Sequence, residues 1–216
     1  MSDRRKERIP PALEGISGGR VFHFYCGGMC MNAPIDISEV MLRTERLTLR
    51  PWQESDLDDF YAYAREDGVG QMAGWMPHKS LDESRKILDM FIRENKTFAI
   101  VHEGRAVGSV GIERYNEAAF PELADLRGRE IGYVLSKSLW GQGLMPEAVR
   151  AVTRYLFDTV KLDFVLVGHF PWNHQSERVI AKCGFEYVKT IKYETRCGTV
   201  EDSREYILRN PRAQEA

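Results

Sequence analysis

Arg129 to Arg150 constrains this chain more than any other stretch, because a buried strand, a tight turn and a helix follow one another there within 22 residues. Ile131 to Leu135 has the β-branched and aromatic residues of a buried strand. From about Pro146 the apolar residues Ala148, Val149, Val152, Tyr155 and Leu156 fall at helical spacing, so a helix is expected to start there. Pro146 suits a first turn, where its missing N–H is not needed, and Glu147 complements the positive end of the helix dipole. Between strand and helix lie Gly141 and Gly143. Two glycines let the backbone turn tightly and bring several N–H groups towards an anion, and the following helix aims its positive end at the same place. The expectation is a phosphate or pyrophosphate cradle made of main chain. Taken alone, the glycine pair is explained equally well as a plain strand-to-helix turn. A dinucleotide fingerprint needs a third glycine where Pro146 stands, and a Walker loop needs Gly-Lys-Ser/Thr, so both of those phosphate sites are excluded.

Composition narrows what such a cradle serves. The net charge is -2 across 216 residues, which gives no basis for a broad nucleic-acid surface. No apolar run reaches membrane-spanning length. The 43% hydrophobic and 29% charged make-up fits one globular domain able to bury a core. Cys26, Cys30, Cys183 and Cys197 form no disulfide framework, and Cys26-Gly-Gly-Met-Cys30 lacks a second ligand pair for a metal; free thiols in a reducing cytoplasm are expected.

Residues 1–40 differ from the remainder. They open with Arg4, Arg5, Lys6 and Arg8, turn rich in Pro and Gly, and show poor periodicity apart from an apolar patch at Val21 to Tyr25. A flexible, dispensable extension is expected there, with the domain proper over 41–212 and Met41 suited to start it. From Leu42 the pattern is regular: a strand at Arg46 to Trp52, a helix capped by Ser55, and a passage holding Met72, Trp75 and Met76. A helix over Leu81 to Asn95 follows, then strands at Thr97 to His102 and Val107 to Tyr115 joined at Glu103-Gly-Arg105. Beyond the central stretch come a strand at Phe164 to Phe170 and a helix Glu177 to Cys183, capped by Asn173 or Ser176 and stopped at Gly184. Strands near Tyr187 to Glu194 and Ser203 to Leu208 close the chain.

Glu130-Ile-Gly-Tyr, Trp140-Gly-Gln-Gly-Leu-Met and Pro146-Glu-Ala resemble the acyl-CoA signature of the GNAT superfamily of N-acetyltransferases, especially the RimJ/RimL-like branch that acetylates ribosomal-protein N-termini. Asn173-x-x-Ser176 with Cys183-Gly-Phe185 resembles the second signature of that family, and the likeness runs over about Leu42 to Leu208. Trp140 replaces the family's usual Gln or Arg, and Met145 its small last residue. The resemblance implies an α/β (α+β) fold: a mixed, mostly antiparallel twisted sheet with helices on both faces and acetyl-CoA in the opening between the strands at Ile131 and Val165. It implies a cytoplasmic enzyme, monomer or homodimer, with acetyl-CoA as cosubstrate, no metal, no nucleic acid, no membrane, and direct attack by an amine. Trp140, Gly141, Gln142, Gly143, Leu144 and Met145 would cradle the pyrophosphate, Val134 or Leu135 would offer an N–H to the thioester carbonyl, and Asn173 would bond near the pantetheine. Glu130 would be the base, with Glu113 the second carboxylate. An ordinary strand-end ion pair with Arg129 or Lys137 is an equal reading for Glu130. The tyrosine that many members use as general acid is replaced by Ile180, so Ser176 is the group expected at the thiolate, alongside or instead of a helix-capping role.

His169 and His174 lack a third ligand at metal spacing, and Cys183 sits where a helix dipole disfavours thiolate. Trp75, Met76 and Trp172 are expected either in an acceptor pocket or in the core. The acceptor stays open: a ribosomal-protein N-terminus, another peptide, an aminoglycoside or a polyamine. A non-catalytic acyl-CoA sensor on the same fold is the competing class.

Overall fold

The buried strand expected at Ile131 to Leu135 becomes β5 (Gly128–Leu135), a central strand of an eight-stranded sheet. The computed structural model describes residues 31–214. Before β5 come β1 (Leu42–Arg43), β2 (Thr48–Pro51), α1 (Leu57–Ala64), α2 (Leu81–Glu94), β3 (Thr97–His102) and β4 (Arg105–Glu113). After it come α3 (Leu144–Asp158), β6 (Phe164–His169), α4 (His174–Lys182), β7 (Glu186–Glu194) and β8 (Val200–Arg209). The spatial order is β1-β2-β3-β4-β5-β6-β8-β7, and β5 with β6 is the one parallel pair of these strands.

Side-chain parity divides the sheet into two faces, since neighbours along a strand point opposite ways. Ile131 and Leu135 of β5 join Phe98, Ile100, Val110, Ile112, Val165 and Val167 under α3 and α4 in the main core. On the other face Ala99 and Val134 pack with α1 and α2, among Trp52, Leu57, Phe60 and Leu88. Farther along that second face Phe164, Leu166 and Ile207 meet Tyr115, Phe120 and Leu123. Burial on both faces is why Phe164 to Val167 reads as an unbroken apolar run.

Several boundaries move for identifiable reasons. Gly143 adopts φ 79° and caps α3, which therefore starts two residues ahead of Pro146. Asn173 caps α4 by accepting from Ser176 N at 3.0 Å, so that helix starts at His174, not Glu177, and Ser176 lies within its first turn and does not cap it. Before α1 the capping box is Gln53 with Asp56, and Ser55 takes no part. The turn between β3 and β4 holds Glu103 and Gly104 at φ 50° and 81°, as a two-residue hairpin requires.

Most of the expected N-terminal extension, Cys26 and Cys30 included, lies outside the described residues. Its last part is not loose. Ala33 and Ile37 are fully buried in the main core, Gly128 N donates to Met31 O at 2.8 Å, and Arg129 Nε donates to Ala33 O at 2.6 Å. Burying a side chain such as Ile37 is worth about 1.5–3 kcal/mol. The expected boundary at residue 40 therefore falls too late, because a few apolar residues without periodicity carried the anchoring.

Candidate active site

The ladder between β5 and β6 pairs Gly128, Arg129 and Glu130 with Phe164, Val165 and Leu166, and then stops. Beyond Glu130 the two strands separate, so alternate main-chain groups of Ile131 to Leu135 face a gap. That gap is a cleft of about 250 Å³, lined from Glu130 through Leu135, by Trp140 to Met145 except Gln142, and by Asn173, Ser176 and Val179.

At one end of the cleft the sequence motif has folded into a main-chain cradle. Gly141 and Gly143 stand at φ 80° and 79°, a region costly for any residue with a Cβ. The N–H groups of Gly141, Gln142 and Gly143 have no hydrogen-bond partner among the described residues, and the first turn of α3 adds its own unpaired N–H groups. Such a set fits a pyrophosphate. Trp140 turns its indole N–H onto Leu135 O at 2.8 Å, tying the loop to the strand end. Arg46 braces the cradle from outside: Nη1 donates to Gln142 O at 2.9 Å and Nη2 pairs with Glu147 at 2.6 Å. Glu147 also accepts from Thr44 Oγ1 at 2.6 Å, so these contacts hold its carboxyl below the usual range against the opposing effect of burial. Met145 is buried, with its side chain directed into the main core.

On the α3/α4 face, Ser176 is buried and its hydroxyl lies 2.8 Å from the Tyr133 hydroxyl. Tyr133 was not foreseen as a site residue, although parity within β5 places it opposite to Glu130. Burial pushes the Tyr133 phenol far up, partly offset by the bond to Ser176, so it keeps its proton at neutral pH. Asn173 is committed twice, as the α4 cap and through Nδ2 to Met72 O at 2.9 Å.

On the α1/α2 face, Glu130 lines the cleft and pairs across the ladder with Glu113. Burial, followed by the charges of Glu205 and Glu113, pushes the Glu130 carboxyl up to about 8. The ion pairs weighed for it do not form: Arg129 reaches Ala33 O on the opposite face, and Lys137 Nζ donates to Asp67 O at 3.1 Å. Glu113 is held by Lys96 at 2.7 Å, with 43% of its side chain exposed, and is absent from the cleft lining. Gly132 leaves open floor on this face, with Met72, Ala73, Phe170 and Tyr193 as walls, while the space over Gly168 is filled by Ser203 and Glu205.

Other candidates separate cleanly. His169 lies between Phe170 O at 2.9 Å and the Tyr206 hydroxyl at 3.2 Å, and burial lowers its pKa. His174 is exposed and pairs with Glu177 at 3.1 Å. Burial pushes the Cys183 thiol up. Trp75 packs against His78 and the α1/α2 core, Met76 is exposed, and Trp172 stacks on Phe170 outside the main cleft, lining a smaller hollow with Thr195 and Cys197. Among the described residues no helix is long and apolar enough to cross a membrane.

Comparison with known proteins accords with this architecture. A family profile described as acetyltransferase (GNAT) domain matches residues 46–186. The uncharacterized N-acetyltransferase YoaA of Bacillus subtilis (strain 168) is 27% identical over 180 residues, covering 80% of this chain and 98% of that protein. The [ribosomal protein uS5]-alanine N-acetyltransferase of Escherichia coli (strain K12) is 22% identical over 165 residues, covering 70% of this chain and 80% of its own. The crystal structure of a GNAT-family acetyltransferase from Bacillus anthracis superposes with a TM-score of 0.69 at 21% identity, over 79% of this chain and 99% of that one.

Proposed function

This chain belongs to the GNAT acetyltransferase family, transferring an acetyl group from acetyl-CoA to an amine, and from that premise we propose how its residues divide the work. Glu130 is the base, receiving a proton from the acceptor's ammonium directly or through one water. The freed amine attacks the thioester carbon while an N–H of Val134 or Leu135 holds the carbonyl oxygen. The C–S bond breaks, the attacking nitrogen passes its surplus proton to the departing sulfur directly or through water, and that sulfur meets the Ser176 hydroxyl, itself hydrogen-bonded to the Tyr133 phenol. Because that phenol holds its proton tightly, its contribution is an oriented hydrogen bond to Ser176. Trp140 to Met145 hold the pyrophosphate, and Asn173 keeps the first turn of α4 beside the pantetheine.

The observation that carries this reading is the position of Glu130. It is the last paired residue before the strands separate, lines the cleft, and lies on the face opposite Tyr133 and Ser176. An amine arriving over α1 and α2 thus meets a base, while a thiol leaving over α4 meets a hydroxyl.

The acceptor proposed is a peptide N-terminus, with small amines as the second class; the named activity of the uS5-alanine relative supports the first. Thiol release from acetyl-CoA, measured with peptides beginning in Ala or Ser against diamines and aminoglycosides, tests it. Peptide-stimulated release is expected to exceed the others, and stimulation by diamines alone would replace the peptide reading. The non-catalytic alternative is not favoured, since the relatives are named as N-acetyltransferases; binding of acetyl-CoA without thiol release in the presence of every amine tested would reopen it.

A further inference from the structure

Glu205 is the least expected group near the cleft. It lies on β8, is 2% exposed, and its Oε2 has no hydrogen-bond partner among the described residues. A buried carboxylate oxygen left unpaired is costly and calls for a cause. Glu205 pairs in register with Gly168 of β6, so both lie on the α1/α2 face together with Glu130. A Cβ on Gly168 would stand 2.6 Å from Glu205 Oε1 and 2.7 Å from Ser203 Oγ. The carboxyl therefore occupies the space that a side chain on β6 would take, reaching from β8 across β6 towards β5. Gly168 and Ser203 both line the cleft.

We propose that Glu205 is a positioning residue for the acetyl transfer: laid across Gly168, its carboxylate keeps Glu130 a strong enough base to take the acceptor's proton and adds negative charge where the ammonium docks. This rests on Glu130 being the base. The balance is simple: the ammonium gives one proton to the Glu130 carboxylate, leaving a neutral amine and a carboxylic acid, while Glu205 exchanges nothing. Burial raises the Glu205 carboxyl on balance, and the Ser203 hydroxyl bond offsets part of that by favouring the charged form. The charge of Glu205 in turn stands ahead of Glu113 among those raising Glu130.

The groups facing Glu130 define the controls. Glu113 comes from β4 but is neutralised by Lys96; Tyr193 comes from β7, with Arg196 just beyond it; Arg178 and Lys182 line the cleft from α4 on its far side. Gly168→Ala supplies a second way to displace the Glu205 carboxyl without removing it, at a position with no positive φ.

The experiment is a carboxyl ¹³C titration of glutamate-labelled full-length protein, with the Glu130 resonance assigned by its loss in Glu130→Gln, alongside kcat/KM against pH. The wild-type Glu130 midpoint is expected near 8. Glu205→Gln should lower it by about one pH unit, move the acidic limb of kcat/KM with it, and weaken acceptor KM; Gly168→Ala should do the same in smaller measure. Glu113→Gln should move the midpoint less than Glu205→Gln. An unmoved midpoint in folded Glu205→Gln overturns the proposal, as does a loss of rate with an unmoved limb. Where Glu205→Gln fails to fold, an unmoved midpoint in Gly168→Ala overturns it instead. Failure of the base reading looks different: Glu130→Gln would then retain both its rate and its acidic limb, whatever Glu205 does to the Glu130 resonance.

Discussion

The two faces of the sheet meet only where β5 and β6 part, and they solve opposite problems there. The α3/α4 face presents main chain: left-handed glycines, unpaired N–H groups and a helix start, with Tyr133 and Ser176 bonded to each other at 2.8 Å. The α1/α2 face presents the Glu130 carboxyl beside the open Gly132, with Glu205 buried behind it across Gly168. Main-chain donors suit a ligand whose charge never changes. A proton acceptor must change charge in each turnover, and that requires a titratable side chain whose neighbours tune it. On the proposed division of labour, the anion end of the reaction is built from backbone geometry and the proton end from electrostatics.

Removing the tuned side chain should break the comparison most visibly. Glu130→Gln is expected to lower turnover near pH 7 by roughly a hundred- to ten-thousand-fold, with partial rescue at higher pH as neutral amine becomes available. In the wild type, activity should climb as pH rises through about 8, where Glu130 loses its proton. A pH-rate profile of both proteins decides this, and undiminished Glu130→Gln activity across the range would move the base elsewhere. On the other face, Gly143→Val should cost at least tenfold in acetyl-CoA affinity, about 1.4 kcal/mol, by calorimetry. Its Cβ would meet only Arg46 Nη2 at 3.6 Å, so the damage comes from φ 79° and the blocked cradle, not from a clash within the protein. Unchanged affinity in a folded variant would remove the cradle from the cofactor's path.

Tyr133→Phe sharpens the contrast on a smaller scale. Loss of one hydrogen bond is worth about 0.5–1.5 kcal/mol, so kcat should fall by roughly two- to thirteenfold. Unlike the Glu130 effect, this loss should not recover at high pH, because the Tyr133 phenol stays protonated throughout the working range. Recovery with pH would place Tyr133 on the amine side instead. The smallest effect is on stability. Folded Glu130 holds its proton up to about 8, whereas unfolded glutamate releases it near 4.5, so between those values the folded state binds more protons. Stability then falls as pH rises through that window, and the loss is complete above 8. Glu130→Gln should escape that loss, melting above wild type at pH 9, with the advantage narrowing towards pH 4. Parallel melting curves at all pH values would show that Glu130 is not strained by burial.

The legibility of the two faces in the sequence differs for the same reason. Gly141, Gly143, Pro146 and the apolar run behind them are local signals, each readable within one turn of chain, and they placed the strand, the tight turn and the helix. Glu205 lies 75 positions after Glu130 on a strand whose alternation shows only that it is half-buried, and no local pattern ties it to the cleft. Gly168 offered the nearest clue, a glycine inside an apolar strand, which often marks close approach by another group.

What the sequence determined by itself is the order of elements, the strand–turn–helix unit and the family resemblance, because periodicity and backbone stereochemistry act over a few residues. The tertiary structure alone decided that Ile37 anchors the start of the domain, that Asn173 and not Ser176 caps α4, and that Tyr133 supports Ser176. It also decided that the Glu205 carboxyl lies over Gly168. Those depend on sheet order and on burial, which set the dielectric and the neighbours of each group only after distant strands have paired.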